Sequence, residues 1–107
     1  MLIEDILTEA EIKAQETCFL QAPSCTHACW GDQIRTDGSD YSNEICTHDY
    51  TLELYELPDA PDPDAHARLR AVLDSEGIRW EKEPRVFLLD TQLFMTTYSF
   101  SCIERRL

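Results

Sequence analysis

Apolar and polar positions alternate along this chain with two different periods, and each change of period marks an element. Leu2, Ile3, Ile6, Leu7 and Ala10 recur at three-to-four spacing. That puts them on one face of a short helix and leaves Glu4, Asp5 and Glu9 toward solvent. Between residues 12 and 20, Ile12, Ala14 and Cys18 alternate with polar neighbours, a period that predicts a strand. Residues 21–24 turn the chain, because Pro23 cannot donate to a ladder and biases its neighbour away from the helical region. Residues 25–30 read as a second strand. Residues 31–40 hold two of the three glycines and several acids, and read as a loop at a long hairpin tip.

The pattern is clearest after residue 41. Residues 41–56 read as a long strand with Cys46, His48, Tyr50, Leu52 and Leu54 on the buried face, and a strand of this length is expected to bend or bulge near its middle. Residues 57–64 hold three of the five prolines and form a stiff acidic connector. Asp62 is placed to cap a helix and Pro63 to occupy its first turn, where a missing N–H costs nothing. Ala65, Leu69, Val72 and Leu73 make its inward stripe. Gly77 and Ile78 end it with a left-handed residue and a hydrophobic return. A strand at 78–82 follows, limited by Pro84 to an edge. A short apolar run at 86–89 forms the return. A last strand spans 92–103, with Phe94, Tyr98, Phe100 and Cys102 on one face and Leu93, Met95 and Ile103 on the other.

These elements predict a single α+β domain spanning residues 1–107. Its mixed or antiparallel sheet has four to five strands, with two helices packed on one face in the order α-β-β-β-α-β-β. A chain of 107 residues can bury a real core, though not a large one. The formal net charge of −12 argues against holding nucleic acid by phosphate neutralisation, which needs clustered Lys and Arg. No segment approaches the roughly 20 apolar residues that span a bilayer, and residues 1–7 lack the basic start of a signal peptide. Synthesis in the cytoplasm, with no membrane partner, is the expectation.

Five cysteines is an odd set, which does not suggest a disulfide framework. Cys25, His27 and Cys29 share one strand face by parity, and Cys46 and His48 share another strand's face. If the two strands paired antiparallel, up to five zinc-type ligands would converge. No C-x-x-C spacing supports this, so these residues are read as small core side chains and no metal or cofactor is expected. No activated Cys–His pair, Gly-rich phosphate loop or calcium loop is recognisable, and no catalytic residue is assigned. His66 reads as a surface residue in the first turn of the second helix. Trp30 and Tyr55 are candidate interface aromatics, and Asp37, Asp59 and Asp62 lie in the loop and connector expected to dock partners.

The segments "YTLELYE", "DPDAHARLRAVLDSEGIRWEK" and "QLFMTTYSF" resemble the tail-completion, or tail-terminator, proteins of long-tailed bacteriophages. The likeness covers about half the chain and extends weakly to "LIEDILTEA" and "APSCTHACW". It implies a structural virion protein of the tail and neck, assembled in the host cytoplasm. It also implies a homo-oligomeric ring, commonly a hexamer, at the head-proximal end of the tail tube. Its partners would be the tail tube protein and the head-tail connector or stopper, with double-stranded DNA only in passage through the lumen. Cysteine and histidine in "SCTHACW" stand where the family carries aliphatic residues. Three other readings remain open on the same residues: a small acidic inhibitor of the immunity type, a neighbouring stopper protein of similar fold, and, ranked below these, a metal-dependent or thiol enzyme.

Overall fold

The computed structural model describes residues 2–19, 21, 23–37 and 45–105. Helix α1 (Ile3–Glu9) leads into a short strand β1 (Lys13–Glu16), followed by β2 (His27–Asp37) and β3 (Ile45–Glu56). Helix α2 (Pro63–Ser75) then precedes β4 (Trp80–Lys82), β5 (Val86–Leu88) and β6 (Leu93–Arg105). The strands form one mixed sheet of six in the order β1-β2-β3-β6-β4, with β5 also paired to β6. The α+β class stands, and the sheet has one strand more than the four to five expected. The addition is β5: the apolar run at 86–88 hydrogen-bonds to β6 as Val86↔Met95, Phe87↔Phe94 and Leu88↔Leu93.

Strand parity sets the two faces. Ala28, Leu52, Leu54, Tyr50, Tyr98 and Phe100 point to the helix side and form one core with Ile3, Ile6 and Leu7 of α1 and Ala65, Leu69, Val72 and Leu73 of α2. Both helices therefore cover the same face. Leu52, Leu54, Leu69 and Tyr98 are fully buried. Each such side chain contributes on the order of 1.5–3 kcal/mol.

The helix ends follow from local chemistry. Asp62 Oδ1 accepts from the Ala65 N–H at 3.1 Å, and Pro63 occupies the first turn. At the other end Gly77 takes φ 69°. There Gly77 N–H donates to Asp74 O at 3.1 Å and Ile78 N–H to Leu73 O at 2.9 Å, the paired bonds that close a helix on a left-handed residue. α1 ends by the same device with a residue less suited to it. Glu11 has φ 57°, its N–H bonds Thr8 O at 3.1 Å, and the Ile12 N–H bonds Leu7 O at 3.0 Å.

Several expected boundaries shift. The strand expected at 12–20 is confined to Lys13–Glu16, because Thr17 turns to φ 68°. The expected loop at 31–40 is a strand as far as Asp37: β2 pairs β3 without interruption from His27↔Tyr55 to Asp37↔Ile45. Residues 38–44, where the loop's tip and the start of the long strand were expected, lie outside the described residues. The expected bulge in β3 is absent from Ile45–Glu56, where both neighbours pair in continuous register.

Candidate functional site

The far half of the sheet has a simpler section than the near half. β1 pairs β2 only between His27 and Trp30, and β4 reaches along β6 only as far as Phe100. Among the described residues, Gly31–Asp37 of β2 and the last five residues of β6 each have β3 as their sole strand neighbour. Ile34 on β2 is 53% exposed and Ile103 on β6 is 67% exposed. Two open edges thus flank a three-stranded extension, and the whole molecule measures 52 × 28 × 22 Å.

The far face of the middle sheet is polar. Gln33, Asp49 and Ser101 align across β2, β3 and β6, as do Gly31, Thr51 and Ser99. Asp49 holds Arg35, with Nε donating at 2.6 Å and Nη2 at 3.2 Å, and also accepts from the Ser101 hydroxyl at 2.5 Å. The Arg35 hydrogen bond, with the Ser101 hydroxyl second, holds the Asp49 carboxyl below its ordinary range. Together Gly31, Gln33, Asp49, Thr51, Arg79 and Ser99 help to line a shallow trough of about 650 Å³.

On the helix side, three strands place side chains around His48. Cys46 and His48 are two residues apart on β3 and so share a face, and Glu104 of β6 lies directly across from Cys46. Asp32 of β2 lies across from Tyr50, one diagonal step from His48. Asp32 Oδ2 sits 2.6 Å from His48 Nδ1, and Glu104 Oε1 sits 3.2 Å from Nε2. The Asp32 bond raises the His48 pKa against the opposing effect of burial, and Glu104 adds to the rise. The ring stacks on Tyr50 at 5.6 Å. Burial pushes the Tyr50 phenol up to about 12, so Tyr50 is a neutral wall. Donor atoms of Cys46, His48 and Glu104 lie within 4.8 Å of one another.

The convergence of five ligands does not occur. The two strands do pair antiparallel, but their parities differ. His27 and Cys29 lie on the face opposite the helices, across from Tyr55 and Glu53, while Cys46 and His48 face the helix side at the other end of the ladder. Cys25 precedes β2 and is exposed. Its carbonyl is 2.8 Å from His27 Nδ1, so it accepts an N–H there. His27 stacks on Tyr55 at 5.1 Å and meets Phe19 edge-on at 5.5 Å. Burial raises the Cys29 thiol above its usual value.

The other expected contact residues divide. Trp30 packs edge-on against Tyr50 within β2, half-buried against the core, and is not at a strand end. Tyr55 donates to Glu53 Oε1 at 3.1 Å. Asp37 ends β2, and its side chain lies outside the described part of the molecule. Asp59 is exposed on the connector. Asp62 is a helix cap.

His66 is not a surface residue. Its Nε2 lies 2.7 Å from Glu56 Oε1 and its Nδ1 lies 2.5 Å from the Tyr98 hydroxyl. Glu56 Oε2 also accepts the Asp62 N–H at 2.8 Å. With Nε2–H donating to the carboxylate, Tyr98 donates to Nδ1, forming a Tyr–His–Glu chain. Tyr98 has no exposed surface, and the chain ties β3, α2 and β6 together. Glu56 and His66 line a cleft of about 400 Å³ together with Arg70, Lys82 and Arg85, and the Arg85 guanidinium lies 4.2 Å over the Phe94 ring. Periodicity could not show this network, because its members are far apart in sequence.

Neither the protein-family models nor the curated proteins compared with this chain match it.

Proposed function

We propose that this protein is a structural component of a phage head-tail junction, a tail terminator that forms a closed ring and caps the tube. The observation that carries the reading is the pair of non-equivalent open edges at the far end of the sheet. β2 and β6 each run antiparallel to β3, so they run parallel to each other. A neighbour's β2 laid along β6 extends the sheet by a head-to-tail contact. Such a contact repeats with one rotation per subunit, and closes into a ring when that rotation divides the circle. The resemblance of the βαββ segment to tail-completion proteins supplies the role for such a ring.

The hydroxyl-rich far face, where Asp49 holds Arg35 and Glu53 adds a further acid, suits a surface past which a duplex slides, since its guanidiniums, Arg35 and Arg79, are few and set among acids. Among the described residues, the exposed large apolar side chains lie on or beside edge strands, at Ile34, Val86, Phe87, Leu89 and Ile103. That is where subunit, tube or connector contacts would cover it.

Native mass spectrometry, alone and with the tail tube protein, tests the reading. Closed rings of about six copies that stop tube growth are the expected result. A monomer that ignores the tube but binds one basic protein tightly would replace it with the acidic-inhibitor reading. Rings that bind the connector and not the tube would assign the stopper role.

A further inference from the structure

We propose that Cys46, His48 and Glu104 form a zinc site at the far end of the sheet, with Asp32 orienting the histidine from behind. The donor set is one thiol, one imidazole and one carboxylate, which is borderline-soft and suits zinc better than magnesium or calcium. A tetrahedral zinc with bonds of about 2.0–2.3 Å needs its donors roughly 3.3–3.8 Å apart. The three donors already lie within 4.8 Å of one another, so side-chain rotation is enough to close them on an ion.

The arrangement of His48 is what a metal ligand requires. Nδ1 is held by Asp32 Oδ2 at 2.6 Å, which fixes the tautomer with Nδ1 protonated and presents the Nε2 lone pair to the side where Glu104 and Cys46 lie. A carboxylate behind a histidine in this way orients it and raises its basicity toward the metal. Asp32 Oδ1 is buried and, among the described residues, accepts no hydrogen bond. A buried carboxylate oxygen left without a partner is costly, and a nearby dication would offset that cost. Cys46 is 1% exposed and His48 is 6% exposed, so these two ligands are shielded from competing water, while Glu104 is partly open to solvent.

The site binds Zn²⁺ with loss of the Cys46 thiol proton to solvent, leaving a thiolate–zinc bond and a fourth position for water. It lies between the two open edges, on the helix side of the sheet. It would pin β6 to β3 where hydrogen bonds to other strands have run out. This inference does not depend on oligomeric state.

The test uses the full chain carrying Cys18→Ser and Cys25→Ser, which removes the two exposed thiols. After chelator treatment it is titrated with Co²⁺ and with Zn²⁺. The expected result is one ion per chain, a tetrahedral cobalt spectrum with a sulfur-to-cobalt charge-transfer band, and displacement by zinc. Cys46→Ser should abolish that band. Glu104→Gln and His48→Gln should each weaken zinc at least tenfold, and Asp32→Asn about tenfold or more. Cys29→Ser, on the opposite face, should leave binding unchanged. Circular dichroism checks that each variant is folded. If a ligand variant fails to fold, the charge-transfer band of the parent chain still decides whether sulfur ligates. A parent chain that takes up no stoichiometric ion, or a band that survives Cys46→Ser, overturns the site.

Discussion

His66 Nε2 stands 2.7 Å from Oε1 of Glu56, a carboxylate with only 2% of its surface exposed. Burial alone would raise the Glu56 pKa. The hydrogen bonds from His66 and the Asp62 N–H, with the charges of His66 and Arg85, more than reverse it and leave the pKa below its ordinary 4.5. A carboxyl with a depressed folded pKa stabilises the fold fully above its unfolded pKa, and that stability is lost as pH falls through the folded value. Glu56→Gln keeps the shape and removes the charge. We expect it to cost about 2 kcal/mol near pH 7, with the gap to the parent closing as pH falls below 4.5. Urea unfolding at a series of pH values checks this, and a gap that stays constant with pH would contradict it.

Removing the partner tests the same network from α2. His66→Ala leaves Glu56 buried with one oxygen unpaired and takes the acceptor from the Tyr98 hydroxyl. The expected loss is about 2–4 kcal/mol, most of it the cost of a buried charge without its partner. Tyr98→Phe in the His66→Ala background should cost far less than in the parent, because the two act through one chain. Additive losses would mean the hydrogen bonds are incidental to packing.

Two helices end on a left-handed residue, and only one of them uses glycine. Glu11 at φ 57° carries a side chain against the steric preference of L-residues, while Gly77 at φ 69° does not. Nothing lies within 4 Å of a Cβ built on Gly77, so the cost of adding one there is conformational rather than steric. Glu11→Gly should stabilise by about 0.5–1 kcal/mol and Gly77→Ala should destabilise by about 1 kcal/mol. Thermal melts of the two variants, moving in opposite directions, would show it.

Most of the half from β3 to β6 was legible because its signals are local; the exception is β5, whose three residues read only as an apolar return until paired with β6. Asp62 and Pro63 announce a helix start, Gly77 and Ile78 its end, and Phe94, Tyr98, Phe100 and Cys102 alternate as a buried strand face should. The far half of β2 was not legible, because Gly31–Asp37 offers a single large apolar residue, Ile34, and its strand character comes from the ladder with β3. His66 was misplaced for a related reason: Glu56 and Tyr98 reach it from other elements, and no spacing reveals that. Parity alone correctly put Cys46 with His48. Separating them from His27 and Cys29 needed the register, which only the folded sheet sets.

The two open edges make a prediction that separates head-to-tail rings from other assemblies. Ile34→Lys puts a charge on the free edge of β2, and Ile103→Lys puts one on the free edge of β6, the device by which exposed strands avoid pairing. Both positions are more than half exposed, so each change should alter monomer stability by no more than about 0.5 kcal/mol. Each variant alone should remain monomeric, because every head-to-tail contact needs one edge of each kind. A mixture of the two leaves one productive contact, between β6 of the Ile34→Lys chain and β2 of the Ile103→Lys chain. The expected product is a one-to-one heterodimer that grows no further, seen by native mass spectrometry. If either variant alone still forms dimers, the contact is two-fold symmetric. If both still form rings, the subunits meet through some other surface.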